Sequence, residues 1–332
     1  MNSNSLLPRL VAFALLLALV PASAFAQTSA DTVAVDTDME DVAVTPAEGG
    51  AANAEARTEF GAVIEAAQAA SQQATAESYI EAGEQYLQAA DIAASSGDTE
   101  LEASVTDVRG NAAKAFVNAG SAYSDAEDFG NAAAQFQRAA EIARDLEDAE
   151  MGAKTFYNAG VAYVSAEDFE SAVAALDAAI EMAPDEMNYY YVRGVALRGS
   201  GDAEGSEAAL VELAERAEAA GDEAMAMKAR ETVGKGYLSA AYAELQAGRF
   251  SSSIEGLDKA APFLADDDAT LNTLYANAYY KLGVSQVKAE QLAAAKRSLQ
   301  QAQTYGRRAG KDAIVSGAQA QLDYIAQVEA QG

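Results

Sequence analysis

The sequence predicts an all-α fold assembled from repeated pairs of antiparallel helices, and three observations lead there. Alanine supplies about a quarter of the 332 residues and is the strongest helix former. Proline is absent from residues 47 to 183, so nothing in that stretch breaks a helix. Phe116-Val-Asn-Ala-Gly120-Ser-Ala-Tyr123-Ser-Asp-Ala-Glu-Asp-Phe129 recurs as Phe156-Tyr-Asn-Ala-Gly160-Val-Ala-Tyr163-Val-Ser-Ala-Glu-Asp-Phe169. Internal copies at such a period mark a solenoid, in which each unit packs on its neighbours.

Composition removes several classes of function. The chain has no His and no Cys, which excludes Ser-His and Cys-His nucleophilic sites, His or thiolate metal clusters and disulfides. Its 51 acidic against 22 basic residues give a net charge of −29, the wrong sign for phosphate backbones. No catalytic residue, cofactor or metal ligand set is predicted, and nucleic acid is not an expected partner. Paired carboxylates of the glycosidase type are abundant by composition alone and carry no information about a reaction.

Taken in order, the chain opens with residues 1–26, which have the pattern of a secretory signal. Arg9 is the sole charge before an apolar run from Leu10 to Val20, and Ala24-Phe25-Ala26 is a small-x-small cleavage site. Eleven apolar residues span about half of a roughly 30 Å hydrocarbon core, so cleavage is expected in preference to anchoring, with no transmembrane segment after signal removal. The mature protein is then exported and soluble, in a periplasm or outside the cell. Residues 27–56 hold seven acidic residues, no basic one, Pro46 and Gly49-Gly50. They read as a disordered acidic linker that lacks the apolar surface to offset chain entropy.

Residues 57–112 (Phe60, Val63, Ile64, then Tyr79, Gly83, Tyr86, Ile92) are expected to form a degenerate N-terminal helical repeat. Residues 113–309 hold about five better-formed units. In one of them Phe156, Gly160 and Tyr163 share a face of the first helix, and Phe169, Ala172, Leu176 and Ala179 a face of the second, before Pro184. Small residues allow close approach and large ones fill the space between pairs. Gly97-Asp98, Gly201-Asp202 and Gly221-Asp222 place a helix-ending Gly before an N-capping Asp. Residues 310–332, with the stripe Ile314, Ala318, Leu322 and Ile325, read as a capping helix and tail that cover the last apolar face.

The large-small-large, small-large-small order followed by Pro resembles the tetratricopeptide repeat (TPR). Residues 153–186 match nearly every motif position, with Phe156 where that family usually has Trp. Residues 113–146 match as Phe116, Gly120, Tyr123, Phe129, Ala132, Phe136 and Ala139. Units around Tyr190-Gly194, Tyr237-Ala241 and Tyr279-Gly283 follow. Equivalent small residues lie 40, 34, 47 and 42 apart, so units longer than the family's 34 residues must absorb extra helical turns. The resemblance implies a right-handed TPR-type α-solenoid whose first helices line a concave groove.

Carried over by motif position, the groove-lining candidates are Lys114, Val117, Lys154, Tyr157, Val161, Tyr191, Lys235, Tyr242, Tyr280 and Val284. Three of the nine Lys residues recur at one position, and Tyr, with an apolar body and a polar tip, suits a contact surface. The implied function is a non-enzymatic exported scaffold binding a protein or peptide partner. The alternative is a periplasmic small-ligand or cell-wall-glycan binder using Tyr stacking. The carboxylate clamp of chaperone-binding TPRs is resembled only in Asn118 and Asn158, which follow the clamp position; where that subclass has a Lys and, four residues later, an Asn, this sequence has Val117 and Ser121, then Tyr157 and Val161, so chaperone docking is not expected. Scarce Lys amid abundant Asp, Glu and Ala resembles the composition of proteins from salt-loving organisms. In concentrated salt, with a screening length near 3 Å at 1 M, such charge is a solvent adaptation and does not steer a ligand.

Overall fold

The computed structural model describes residues 33–39, 42 and 51–331. Among these are fourteen α-helices and one short 3-10 turn. They fall into two compact units, one running through Ala209 and the other from Leu210 onward.

The first unit contains α1 (Ala51–Ser71), α2 (Ala76–Ser95), the single-turn α3 (Thr99–Ala103), α4 (Val105–Asp125), α5 (Phe129–Asp145), α6 (Ala149–Ser165), α7 (Phe169–Met182) and α8 (Met187–Gly199). α1 packs on α2, α2 on α4, and from α4 to α8 each helix packs on the next. Connections of a few residues leave no choice but antiparallel neighbours. One turn is used three times: Glu127, Glu147 and Glu167 take positive φ of 59°, 60° and 60°. Each is followed by an Asp that caps the next helix, with Asp128, Asp148 and Asp168 accepting from the amides of Asn131, Met151 and Ser171. Elsewhere Gly97, Gly201 and Gly221 take the left-handed position, and Asp98, Asp202 and Asp222 cap the helices that follow.

Between helices one contact recurs. A Cβ on Gly120 would lie 2.8 Å from the Phe136 ring, and one on Gly160 would lie 2.6 Å from Leu176 Cγ. Both pairs are sixteen residues apart, so the first helix of a pair offers a backbone gap and the second fills it. Gly83 receives Phe116 in the same manner. Arg138 lies 4.0 Å from the centre of that Phe116 ring and also pairs with Glu84 at 2.5 Å. This ties α2, α4 and α5 together. Within the expected degenerate repeat, Phe60, Ile64 and Tyr86 are buried, and Arg57 grips Asp98 at 2.7 Å. The guanidinium holds the Asp98 carboxyl below the usual carboxylate range.

α9 (Ala203–Ala220) carries the chain from one unit into the next. The second unit continues with α10 (Glu223–Gln246), α11 (Phe250–Ala260), a 3-10 turn, α12 (Ala269–Lys288), α13 (Leu292–Arg308) and α14 (Asp312–Gln331). Part of its longer period is taken up in helix length, since α10 has 24 residues. Gly283 receives Leu299, again sixteen residues on. Tyr275 and Tyr305 stack at 4.4 Å with Tyr279 alongside, and the Tyr275 hydroxyl donates to Asp258 at 2.7 Å. Burial and the Asp258 carboxylate push the Tyr275 hydroxyl well above its ordinary pKa. On α14, Ala318 and Ile325 are buried, with Ile314 and Leu322 packed on the same cluster.

The packing leads to an opposed pair of expectations. Gly160→Ala should destabilise the protein by about 1 to 3 kcal/mol through the Leu176 clash, despite alanine's helix propensity. Glu167→Gly should stabilise it by about 1 kcal/mol by relieving the left-handed backbone. Urea unfolding followed by circular dichroism checks both, and an unchanged midpoint for Gly160→Ala would contradict the sixteen-residue contact.

Candidate functional site

The ten groove candidates divide between the units. Lys114, Val117, Lys154, Tyr157, Val161 and Tyr191 belong to the first, whereas Lys235, Tyr242, Tyr280 and Val284 belong to the second. Val117, Val161 and Tyr191 are buried. Tyr157 is 4% exposed and stacks on Tyr189 at 4.8 Å, a ring contact that serves packing. The desolvation that buries Tyr189 pushes its pKa up to about 12. Tyr280 lies against Gly317 of α14. Tyr242 and Val284 are half-buried, Tyr242 against the second unit's core.

The three equivalent Lys residues also part company. Lys154 pairs with Glu150 and Lys235 with Glu231, each at 2.8 Å and four residues back on its own helix. Position 110, four before Lys114, is Gly. With no carboxylate there, the Lys114 ammonium donates to the backbone carbonyl of Asp38 at 2.6 Å.

That bond belongs to the site sequence reasoning missed. Residues 33–39 lie extended on the first unit, where a disordered linker over 27–56 was expected, and 51–56 already form the start of α1. Asn158 on α6 is 3% exposed and holds Val33 by both backbone groups. Its Oδ1 accepts from the Val33 amide and its Nδ2 donates to the Val33 carbonyl, each at 2.8 Å. The carboxamide thus copies the paired bonds of one sheet residue to another. Farther along, the Ser71 hydroxyl on α1 donates to the Met39 sulfur at 3.5 Å. The segment therefore runs from α6 back past α4 to α1, against the order of the helices, before the chain enters α1.

Side chains follow the two-residue period of extended backbone. Val33, Val35, Thr37 and Met39 are half-buried, while Ala34, Asp36 and Asp38 are exposed. Val35, Met39 and Val42 pack on the core that includes Val117, Phe116 and Phe60. A signal for this was in the sequence: Val33, Val35, Thr37 and Met39 recur at every second position with Ala34, Asp36 and Asp38 between them, and three of the four inward residues are β-branched. A search for helical period and net acidity passes over it. The proposed signal segment, residues 1–26, lies outside the described residues. Among those described, no group of acidic side chains is placed to hold a metal ion, and no helix is long and apolar enough to cross a membrane.

These placements separate core residues from surface ones. Tyr157→Ala should cost about 3 to 5 kcal/mol, as for a buried aromatic, whereas Lys154→Ala should change stability by less than about 0.5 kcal/mol. Chemical denaturation of the two variants checks this, and equal small effects would return Tyr157 to the surface.

Residues 111–185 match the tetratricopeptide-repeat family profile, and no curated protein matches the sequence. Several solved structures are similar. YrrB, described as a TPR protein with an unusual peptide-binding site, is 17% identical over 62% of this chain and 91% of its own, at a TM-score of 0.33. Aspartyl phosphate phosphatase F from Bacillus subtilis is 13% identical over 84% and 72%, at 0.34. The TPR2AB domain of yeast Sti1 in complex with pHSP90 is 16% identical over 79% and 99%, at 0.28. The helix pairs, their repeated turn and glycine contact, and the profile match over 111–185 agree on an all-α, TPR-type fold.

Proposed function

We propose that the chain is an exported, non-enzymatic scaffold whose first unit binds an extended segment of another protein across α6, α4 and α1. The observation that carries this is the paired hydrogen bonding of a buried carboxamide, Asn158, to backbone at Val33. Recognition of main chain by a fixed side-chain amide, reinforced by Lys114 on a second carbonyl, gives affinity that does not depend on the ligand's sequence. The apolar core under alternate side chains then supplies selectivity, as in strand-addition recognition. Export is read from the leader pattern of residues 1–26, and the acidity as adaptation to concentrated salt. The Tyr rings offered for stacking on a glycan do not favour that alternative, because Tyr157 and Tyr189 stack on each other.

Panning a displayed library of random linear peptides on the immobilised full chain tests the reading. Clones with apolar residues at every second position should be enriched. They should lose at least tenfold in affinity for a Lys114→Ala, Asn158→Ala variant of unchanged helicity. Clones that bind the variant equally well would contradict it.

A further inference from the structure

This inference rests on that reading and deepens it, because the segment already on the surface reports the chemistry of the ligand. Its contacts are of two kinds. Backbone is held at Val33 and at Asp38, and the inward side chains are two Val, a Thr and a Met. Its outward side chains include two exposed carboxylates, Asp36 and Asp38. The Lys114 ammonium bonds the Asp38 carbonyl, and the whole chain carries a net charge of −29. At low salt, where that net charge is not screened, outward carboxylates fit such a molecule less well than neutral or basic side chains do.

We propose that this surface receives an extended segment of a partner protein with β-branched or thioether side chains at alternate positions and neutral or basic residues between them, and that residues 33–39 are its built-in competitor. At low salt the two outward carboxylates leave the competitor held less tightly than such a partner. Only eight residues separate Val42 from the first residue of α1, so the segment faces the surface at an effective concentration on the order of millimolar. If the same sequence supplied separately binds with a Kd of about 100 μM, the covered form outnumbers the open one by about tenfold. A partner's apparent Kd then rises by about the same factor. At low salt a partner with basic outward residues gains from the chain's negative field, a gain that concentrated salt removes.

The test is fluorescence anisotropy with two labelled synthetic peptides on the full chain. One peptide has the sequence of residues 31–42, and the other is the same with Asp36→Lys and Asp38→Lys. The proteins are the wild type, Val35→Asp/Met39→Asp, and that double variant with Asn158→Ala, all checked for equal helicity. A chain with residues 33–39 replaced by Gly and Ser stands in if the double variant misfolds. The native-sequence peptide should bind the double variant at least tenfold more tightly than the wild type. The lysine peptide should bind both more tightly at low salt, with the advantage shrinking as salt is added, and Asn158→Ala should remove binding of both. Equal affinity for wild type and double variant would overturn the competitor while leaving the receptor reading in place. No binding to any protein would remove the receptor reading itself. A lysine peptide no tighter than the native one at low salt would overturn the charge preference. A wild-type dimer in light scattering, lost in the double variant, would mean that copies exchange segments and would overturn the partner assignment.

Discussion

The glycine gap is the contact on which the first unit's architecture depends. Gly120 and Gly160 remove a side chain where Phe136 and Leu176 arrive, which fixes how deeply the two helices of a pair approach and how each is rotated. That rotation determines which residues remain for recognition. Asn158 lies two residues before Gly160 on the same helix, about 200° around it at 3.6 residues per turn. Locking Gly160 onto Leu176 therefore turns Asn158 the other way, to where residues 33–39 lie. Lys114 occupies the position in α4 that Lys154 occupies in α6, four residues before Asn158 and so on the same helix face. The segment uses this face in both helices, taking a Lys from one and an Asn from the next.

Hydrogen-bond accounting explains why an acidic stretch orders there. An extended strand leaves its amides and carbonyls without partners unless a neighbour supplies them. Asn158 satisfies both groups of Val33, Lys114 satisfies one at Asp38, and Asp36 Oδ1 accepts from the Asp38 amide. The apolar half of the alternation is what repays ordering the chain. Val35, Met39 and Val42 pack on the first unit's core, leaving the carboxylates in water at little cost.

Much of the fold was legible because repeats write the same physics several times. The Phe116–Phe129 copy, the Gly-Asp punctuation and the stripe on α14 all describe local, periodic contacts, and each has its counterpart among the helices, turns and buried faces. The site was legible only in part. Lys114 bonds the Asp38 carbonyl, whereas its motif equivalents Lys154 and Lys235 each pair with a Glu four residues away, a distinction that motif position does not encode. The Tyr residues read as contact surface are in good part packing: Tyr157 on Tyr189, Tyr280 on Gly317. A large amphipathic ring serves either role, and only tertiary context decides. Residues 33–39 are hard to read from sequence because their two-residue alternation spans only seven residues of an acidic stretch without helical period.

The most direct measurement of the central claim is amide hydrogen exchange resolved at Val33 in the full chain. If Asn158 holds that amide, Val33 exchanges far more slowly than an unprotected amide, and Asn158→Ala restores fast exchange there while the α6 amides keep their protection. Exchange of Val33 at the unprotected rate in the wild type would contradict the account, because the segment would then not be held on the helices.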